Sequence, residues 1–303
     1  MLAPHISVVN LGCRVNRVES DRITADLMRL GFAMVEPQDA DLIVINTCAV
    51  TGEAEAKTRK AVRHALAHPN DPYVVVTGCV VNLHPEELLE LSDRVIAEPS
   101  KMDVAERVCE VLGVESDSVP ACSDGEVVDA LGRSRLGVKI QDGCNQFCSY
   151  CIIPYARGRV RSRRPEEVLE EVRTLAAQGY KEMVLTGIHL SSYGLDFENP
   201  ESALTAGDYK AEENALYRPW LLRLIQEVSG VEGIGRIRLG SLEPRIITRE
   251  FAAELAKIPK LCPHFHLSLQ SGCDATLHRM NRRYDTARFR QSVDLLRRYF
   301  DHP

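Results

Sequence analysis

Asp142-Gly143-Cys144-Asn145-Gln146-Phe147-Cys148-Ser149-Tyr150-Cys151 sets three thiols on one short loop. The loop follows directly on a strand candidate at 137–141. Further strand candidates at 183–186, 236–239 and 264–269 alternate with helical stretches at 165–178 and 249–257. Such alternation is that of a (β/α) barrel or part of one, whose functional groups gather at the carboxyl ends of the strands. The three-thiol loop occupies one of those ends.

Upstream, a shorter unit repeats three times: an apolar β-rich run, a turn ending in Cys, then a helical stretch. The runs are 5–10 before Cys13, 41–46 before Cys48 and 73–77 before Cys79. A helix is expected over 20–31, capped at Ser20 or Asp21 and stopped at Gly31. A fourth strand at 94–97 and a helix at 103–112, ending at Gly113, close a small doubly wound parallel sheet near residue 114. Residues 115–135 lose apolar periodicity and gain Ser, Asp and Gly, which marks a linker. The chain therefore divides into 1–114, the linker, and 136–303, with a polar insertion at 195–218 to which the sequence assigns no role.

Composition fits two soluble domains, with 45% hydrophobic and 26% charged residues in 303. No apolar run approaches the ~20 residues that span a bilayer, and no basic-then-apolar leader opens the chain, so a cytoplasmic location and no membrane partner are expected. In a reducing compartment ten cysteines point to metal or redox chemistry rather than disulfides. The net charge of −6 argues against a generally basic nucleic-acid binder and leaves any such role to local patches. Arg157, Arg159, Arg161, Arg163 and Arg164 form one, placed to hold backbone phosphates or carboxylates of their own domain. Arg279, Arg282, Arg283, Arg297 and Arg298 are read as helix surface.

An Fe–S cube normally takes four thiolates, so the loop of Cys144, Cys148 and Cys151 leaves one iron open to a small molecule. A structural zinc site would need a fourth Cys or His at a nearby spacing, which is lacking. Cys13, Cys48 and Cys79 each end one of three inferred parallel strands. In an open parallel sheet those ends share one crevice, so the three thiols are expected to form a second site. Cys109, Cys122, Cys262 and Cys273 follow no such pattern. Two three-Cys sites facing one another would suit two clusters with one cavity between them.

The Cys-x3-Cys-x2-Cys loop with an aromatic before its last Cys resembles the radical S-adenosylmethionine (SAM) superfamily. That resemblance implies a partial radical SAM barrel, a 4Fe–4S cluster on Cys144, Cys148 and Cys151, and reductive cleavage of SAM to a 5′-deoxyadenosyl radical. By the same resemblance Tyr150 lies beside the adenine and Thr186-Gly187 meets the methionine amine. Ser241 and Glu243 contact ribose or methionine, and Gln270 closes the next strand. On spacing alone each is equally an ordinary turn or cap residue.

With the second triad, the chain resembles the methylthiotransferase family over nearly its whole length. Leu11-Gly-Cys-Arg-Val-Asn16, Ile45-Asn-Thr-Cys-Ala-Val-Thr51, Ile152-Ile-Pro-Tyr-Ala-Arg-Gly158, Leu185-Thr-Gly-Ile-His-Leu190 and Ser241-Leu-Glu-Pro244 are similar to one branch of it. That branch methylthiolates C2 of N6-threonylcarbamoyladenosine at position 37 of tRNA. Sister branches act on isopentenyladenosine in tRNA or on a ribosomal-protein aspartate. The resemblance further implies an auxiliary 4Fe–4S cluster on Cys13, Cys48 and Cys79, the tRNA anticodon loop as substrate, an electron donor such as flavodoxin or ferredoxin, and a sulfur source. It also implies two further strands and a C-terminal RNA-binding β-barrel after Pro303, so that the chain is expected to be a truncated form. A rival from another class is a non-catalytic iron–sulfur electron carrier or inactive fragment. Thr186-Gly187 and Ser241 to Glu243 favour the enzyme.

Overall fold

Runs of β-branched residues build the first sheet: β1 (His5–Asn10), β2 (Ala33–Met34), β3 (Leu42–Thr47), β4 (Tyr73–Gly78) and β5 (Val95–Glu98). Their order is β2-β1-β3-β4-β5 and every pairing is parallel. β3 is buried along its whole length, as a strand covered on both faces must be. Four helices matter to the covering: α1 (Arg14–Arg29), α2 (Gly52–Leu66), α3 (Cys79–Leu83) and α4 (Val104–Leu112). On one face Ile6, Leu42, Val44 and Val75 form a core with Ile23 and Leu27 of α1 and Val104 and Val108 of α4. Ile43, Ile45, Val74 and Val76 alternate to the other face, where α2 packs on β3 and β4. The sheet is thus doubly wound. Its strand order reverses between β1 and β3, where such sheets bind ligands at the carboxyl edge.

The computed structural model describes residues 4–114, 132, 134–198 and 219–303. The chain forms two compact units, Met1–Arg133 and Ser134–Pro303. The expected linker lies almost wholly outside the described residues, as does the insertion beyond Glu198, whose described start is the helical turn Leu195–Glu198.

In the second unit β6 (Leu136–Asp142), β8 (Glu182–Gly187) and β9 (Arg236–Leu239) run parallel in the order β7-β6-β8-β9, with the short β7 (Arg161–Ser162) antiparallel at the edge. Helices α5 (Pro165–Ala177), α6 (Pro219–Ser229), α7 (Arg249–Leu255), α8 (Asp274–Arg279) and α9 (Thr286–Tyr299) accompany them. This is a partial (β/α) barrel, and among the described residues the sheet does not close.

Two expectations fail. The strand expected at 264–269 is reduced to one isolated parallel bridge, Leu267 with Leu242, and a second bridge, Leu261 with Ile237, precedes it. Pro263 lacks a backbone donor, and the His264 amide turns back onto the Cys262 carbonyl at 2.7 Å, so the ladder is interrupted. The first helix begins at Arg14, six residues before the expected start, with Cys13 as its extended N-cap residue. Ser20 is no cap; it lies buried within α1, where its Oγ accepts from Asn46 Nδ2 at 3.0 Å. Asn16, Glu19 and Ser20 all face the protein interior, so polar residues interrupt the apolar rhythm that would have marked the first turns.

Candidate functional site

β6 delivers the chain into the three-thiol loop through Gly143, whose φ of +67° lies in the left-handed region. A Cβ there would overlap the Arg159 carbonyl oxygen, so this position admits glycine alone without backbone movement. The close approach forms a clasp. The Cys144 amide donates to the Gly158 carbonyl at 3.1 Å, and the Val160 amide donates to Asn145 Oδ1 at 3.1 Å. Gln141 seals the base of the loop, donating to the Gly143 carbonyl at 2.8 Å and accepting from the His189 amide at 2.8 Å. In this way the ends of β6 and β8 are fastened together under the thiols.

The far side of the loop is held by the segment after α8. Asn281 Nδ2 donates to the Phe147 carbonyl at 2.9 Å, the Ser149 amide to the Met280 carbonyl at 3.2 Å, and Ser149 Oγ to the Arg279 carbonyl at 2.8 Å. These bonds hold Phe147 at a φ of +46°, uncommon for a bulky residue. The Arg159 guanidinium lies 4.3 Å over its ring.

Two of the three sulfurs are met by N–H groups. Gln146 N–H donates to Cys144 Sγ at 3.5 Å, and Arg282 Nη1 donates to Cys148 Sγ at 3.1 Å. Burial pushes the Cys144 thiol up to about 12, and the nearby Cys148 and Cys151 add to the shift. Such thiols are good ligands only once a metal displaces their protons. Among the described residues no three His, Cys, Asp or Glu side chains surround one point closely enough for a single ion. A cube seats each thiolate on a different iron, so it needs no such convergence. Three neighbouring thiols, two of them with donors that would stabilise bound thiolate sulfur, fit a cluster with one iron left open.

Of the other expected cofactor residues, Thr186 and Gly187 end β8, and Ser241 and Glu243 follow β9 at the carboxyl end of the same sheet. Thr186 is buried at the end of β8, and a Cβ on Gly187 would come within 2.9 Å of Gln141 Oε1. Ser241 Oγ lies 2.7 Å from His266 Nδ1. Gln270 is exposed, at a φ of +64°, and Tyr150 is half exposed. Glu243 differs from its neighbours in being nearly inaccessible and fully engaged. His189 Nε2 lies 3.0 Å from its Oε2, Arg245 Nη2 is 3.1 Å from the same oxygen, and its own amide donates to Ser191 Oγ. Desolvation works against the charge, yet the His189 and Arg245 bonds prevail and hold the carboxyl at about 2, below its ordinary 4.5.

A depressed carboxylate stabilises the fold above its unfolded value and loses that contribution as pH falls toward the folded one, here between about 4.5 and about 2. Glu243→Gln is expected to destabilise the protein by roughly 2–4 kcal/mol at pH 7, since it removes the buried carboxylate charge that His189 and Arg245 both engage. Urea unfolding of the variant and the parent at pH 7 and pH 3 checks this; the gap should narrow in acid.

Of the Arg cluster, Arg157 is buried against Asp142 at 3.2 Å, and Arg163 pairs with Glu171 and donates to the Lys139 carbonyl. Arg161 reaches Asp142 only at 3.8 Å and keeps 66% of its side chain exposed. Arg159 covers Phe147, and Arg164 lies 4.6 Å over Phe197. Arg282, expected on a helix surface, instead faces Cys148; with Asn281, His189 and Arg245 it is a site residue that sequence reasoning missed. His189 stood inside a quoted motif, but nothing local to Arg282 signals its role.

In the first unit, Cys13, Cys48 and Cys79 follow β1, β3 and β4, three strands adjacent in the sheet. The register pairs Thr47 with Gly78, so Cys48 and Cys79 occupy successive places beyond one rung. Gly78, at a φ of +98°, lets the two ends close up, since a Cβ would stand 2.5 Å from the Thr47 carbonyl. Cys13 joins them through Asn16. Its Sγ donates to Asn16 Oδ1 at 3.5 Å, while Asn16 Nδ2 donates to the Thr47 carbonyl at 2.7 Å and Asn46 Oδ1 at 3.2 Å. Thr47 Oγ1 accepts from the Val80 amide and donates to the Thr77 carbonyl. These polar side chains are fully buried, and each would cost ~1–3 kcal/mol if left unpaired. They pin three cysteine-bearing turns to one node.

The model of the Radical SAM superfamily matches residues 138–302, and that described as Uncharacterized protein family UPF0004 matches residues 5–97. The fold agrees with a radical S-adenosylmethionine methyltransferase, TsrM, from Kitasatospora setae, at a TM-score of 0.61 and 15% identity, covering 98% of this chain and 66% of that one. The class is therefore that of radical SAM proteins. Threonylcarbamoyladenosine tRNA methylthiotransferase MtaB of Bacillus subtilis (strain 168) is 33% identical, over 95% of this chain and 62% of the relative. A tRNA-2-methylthio-N(6)-dimethylallyladenosine synthase of Dictyoglomus thermophilum is 31% identical, over 97% and 66%. The chain belongs to the radical SAM methylthiotransferase family. It spans about two thirds or less of the length of these relatives.

Proposed function

We propose that this chain carries the catalytic machinery of a tRNA methylthiotransferase acting at C2 of N6-threonylcarbamoyladenosine at position 37. The observation that carries the reading is the second triad: three cysteines on three adjacent strand ends, tied by Asn16, Asn46 and Thr47. Cys144, Cys148 and Cys151 would hold one 4Fe–4S cluster and Cys13, Cys48 and Cys79 another. Together with SAM, the clusters supply reductive cleavage, sulfur and a methyl group. The protein's own part is to position and to exclude water. Gln141 and the Gly143 clasp fix the first loop at the mouth of β6. Thr186, Gly187, Ser241, Gln270 and Tyr150 would receive SAM, with Glu243 ordering the site through His189 and Arg245.

The substrate adenosine must leave its stack to reach such a site, as single-stranded recognition permits. Arg161, whose side chain keeps 66% of its surface exposed, would be free to meet an anticodon-loop phosphate. The reading places the chain in the cytoplasm, with a flavodoxin or ferredoxin as electron donor and a separate sulfur source. Among the described residues no helix is long and apolar enough to cross a membrane. Mass spectrometry of tRNA nucleosides from cells with and without the gene tests the substrate. Loss of 2-methylthio-N6-threonylcarbamoyladenosine supports the reading, and loss of the isopentenyladenosine product alone would move it to the sister branch.

A further inference from the structure

We propose that Arg282 sets how readily the cluster on Cys144, Cys148 and Cys151 accepts an electron, acting through Cys148. The inference rests on those cysteines being cluster ligands. Cys144 takes its N–H bond from a backbone amide two residues on, that of Gln146. Any sequence that folds the loop supplies that bond. Cys148 instead takes its bond from a cationic side chain 134 residues later, with Nη1 3.1 Å from Sγ.

The guanidinium is aimed and braced. Its Nε and Nη2 donate to the Tyr284 hydroxyl oxygen at 3.1 and 3.0 Å, which leaves Nη1 for the sulfur. Tyr284 in turn donates its own proton to the Ser268 carbonyl, so its lone pairs face Arg282. The Arg282 amide is fastened to the Leu277 carbonyl at 2.9 Å, and the preceding Asn281 holds the Phe147 carbonyl. One segment therefore both clamps the loop and brings the charge.

Net charge and hydrogen bonds to sulfur are among the factors that set a cluster's potential. One-electron reduction adds negative charge to the cluster and its thiolates without making or breaking a bond at Cys148. A fixed positive charge and an N–H···S bond stabilise the reduced state more than the oxidised one. Arg282 thus makes the first electron, delivered by a one-electron donor, easier to accept.

The test is an EPR redox titration of the full chain, reconstituted anaerobically with iron and sulfide. The loop cluster is identified as the signal that SAM perturbs. Arg282→Gln is expected to lower the reduction equilibrium about tenfold, a shift of ~59 mV to more negative potential for a one-electron couple, with iron content and fold retained. Arg282→Lys, which keeps the charge but not the planar fork, should shift it partway and carries the test should the Gln variant fail to hold iron. An unchanged potential in an iron-loaded variant overturns the proposal while leaving the cluster reading intact. A parent protein with no SAM-responsive cluster would instead overturn the reading itself.

Discussion

Gly143→Ala is expected to abolish the loop cluster while sparing the first unit. The added methyl group meets the Arg159 backbone rather than a movable side chain, at a residue already in the left-handed region. Relief requires the 158–160 segment to withdraw. That breaks the Cys144–Gly158 and Asn145–Val160 bonds, which hold two consecutive residues of the loop. Left-handed backbone costs an L-residue about 1–2 kcal/mol and the displaced clasp adds a comparable amount, so a loss of roughly 2–4 kcal/mol is expected in the second unit. Iron analysis after anaerobic reconstitution should find only the share bound by Cys13, Cys48 and Cys79, with no SAM-responsive signal. Parent-like iron content and SAM cleavage in this variant would show that the clasp does not shape the loop.

Cys48→Ala is expected to separate the two halves of the chemistry. Cys48 is buried beside the Asn16–Thr47 node, so removing its sulfur subtracts a ligand and leaves the hydrogen bonds that order the three strand ends intact. The second unit retains Cys144, Cys148 and Cys151. Reductive cleavage of SAM should therefore persist near the parent rate, while transfer of a methylthio group to tRNA falls to background. Following 5′-deoxyadenosine and modified nucleoside in one assay distinguishes the outcomes. Loss of both products in a folded variant would contradict the division of labour between the triads.

What could be read in the sequence was what repeats or alternates. β9 lies where its alternation put it, at Arg236–Leu239, and the parallel sheet under Cys13, Cys48 and Cys79 follows from three apolar runs of similar length. The strand expected at 264–269 misled because its apolar residues alternate although Pro263 and the turned-back His264 amide deny it a ladder. The start of α1 was hidden for the opposite reason. Asn16, Glu19 and Ser20 are polar residues used inside the fold, and hydropathy reads them as surface. Glu243 was legible as a residue at a strand end, but its engagement by His189 and Arg245 is tertiary. Arg282 is the extreme case: its partner lies 134 residues away, and only the folded chain brings the two together.

The most direct measurement of the central claim is anaerobic reconstitution followed by dithionite and SAM, with product analysis of the parent and of Cys148→Ala. The account predicts 5′-deoxyadenosine from the parent and none from the variant. Absence of both 5′-deoxyadenosine and SAM binding in the iron-loaded parent would contradict it.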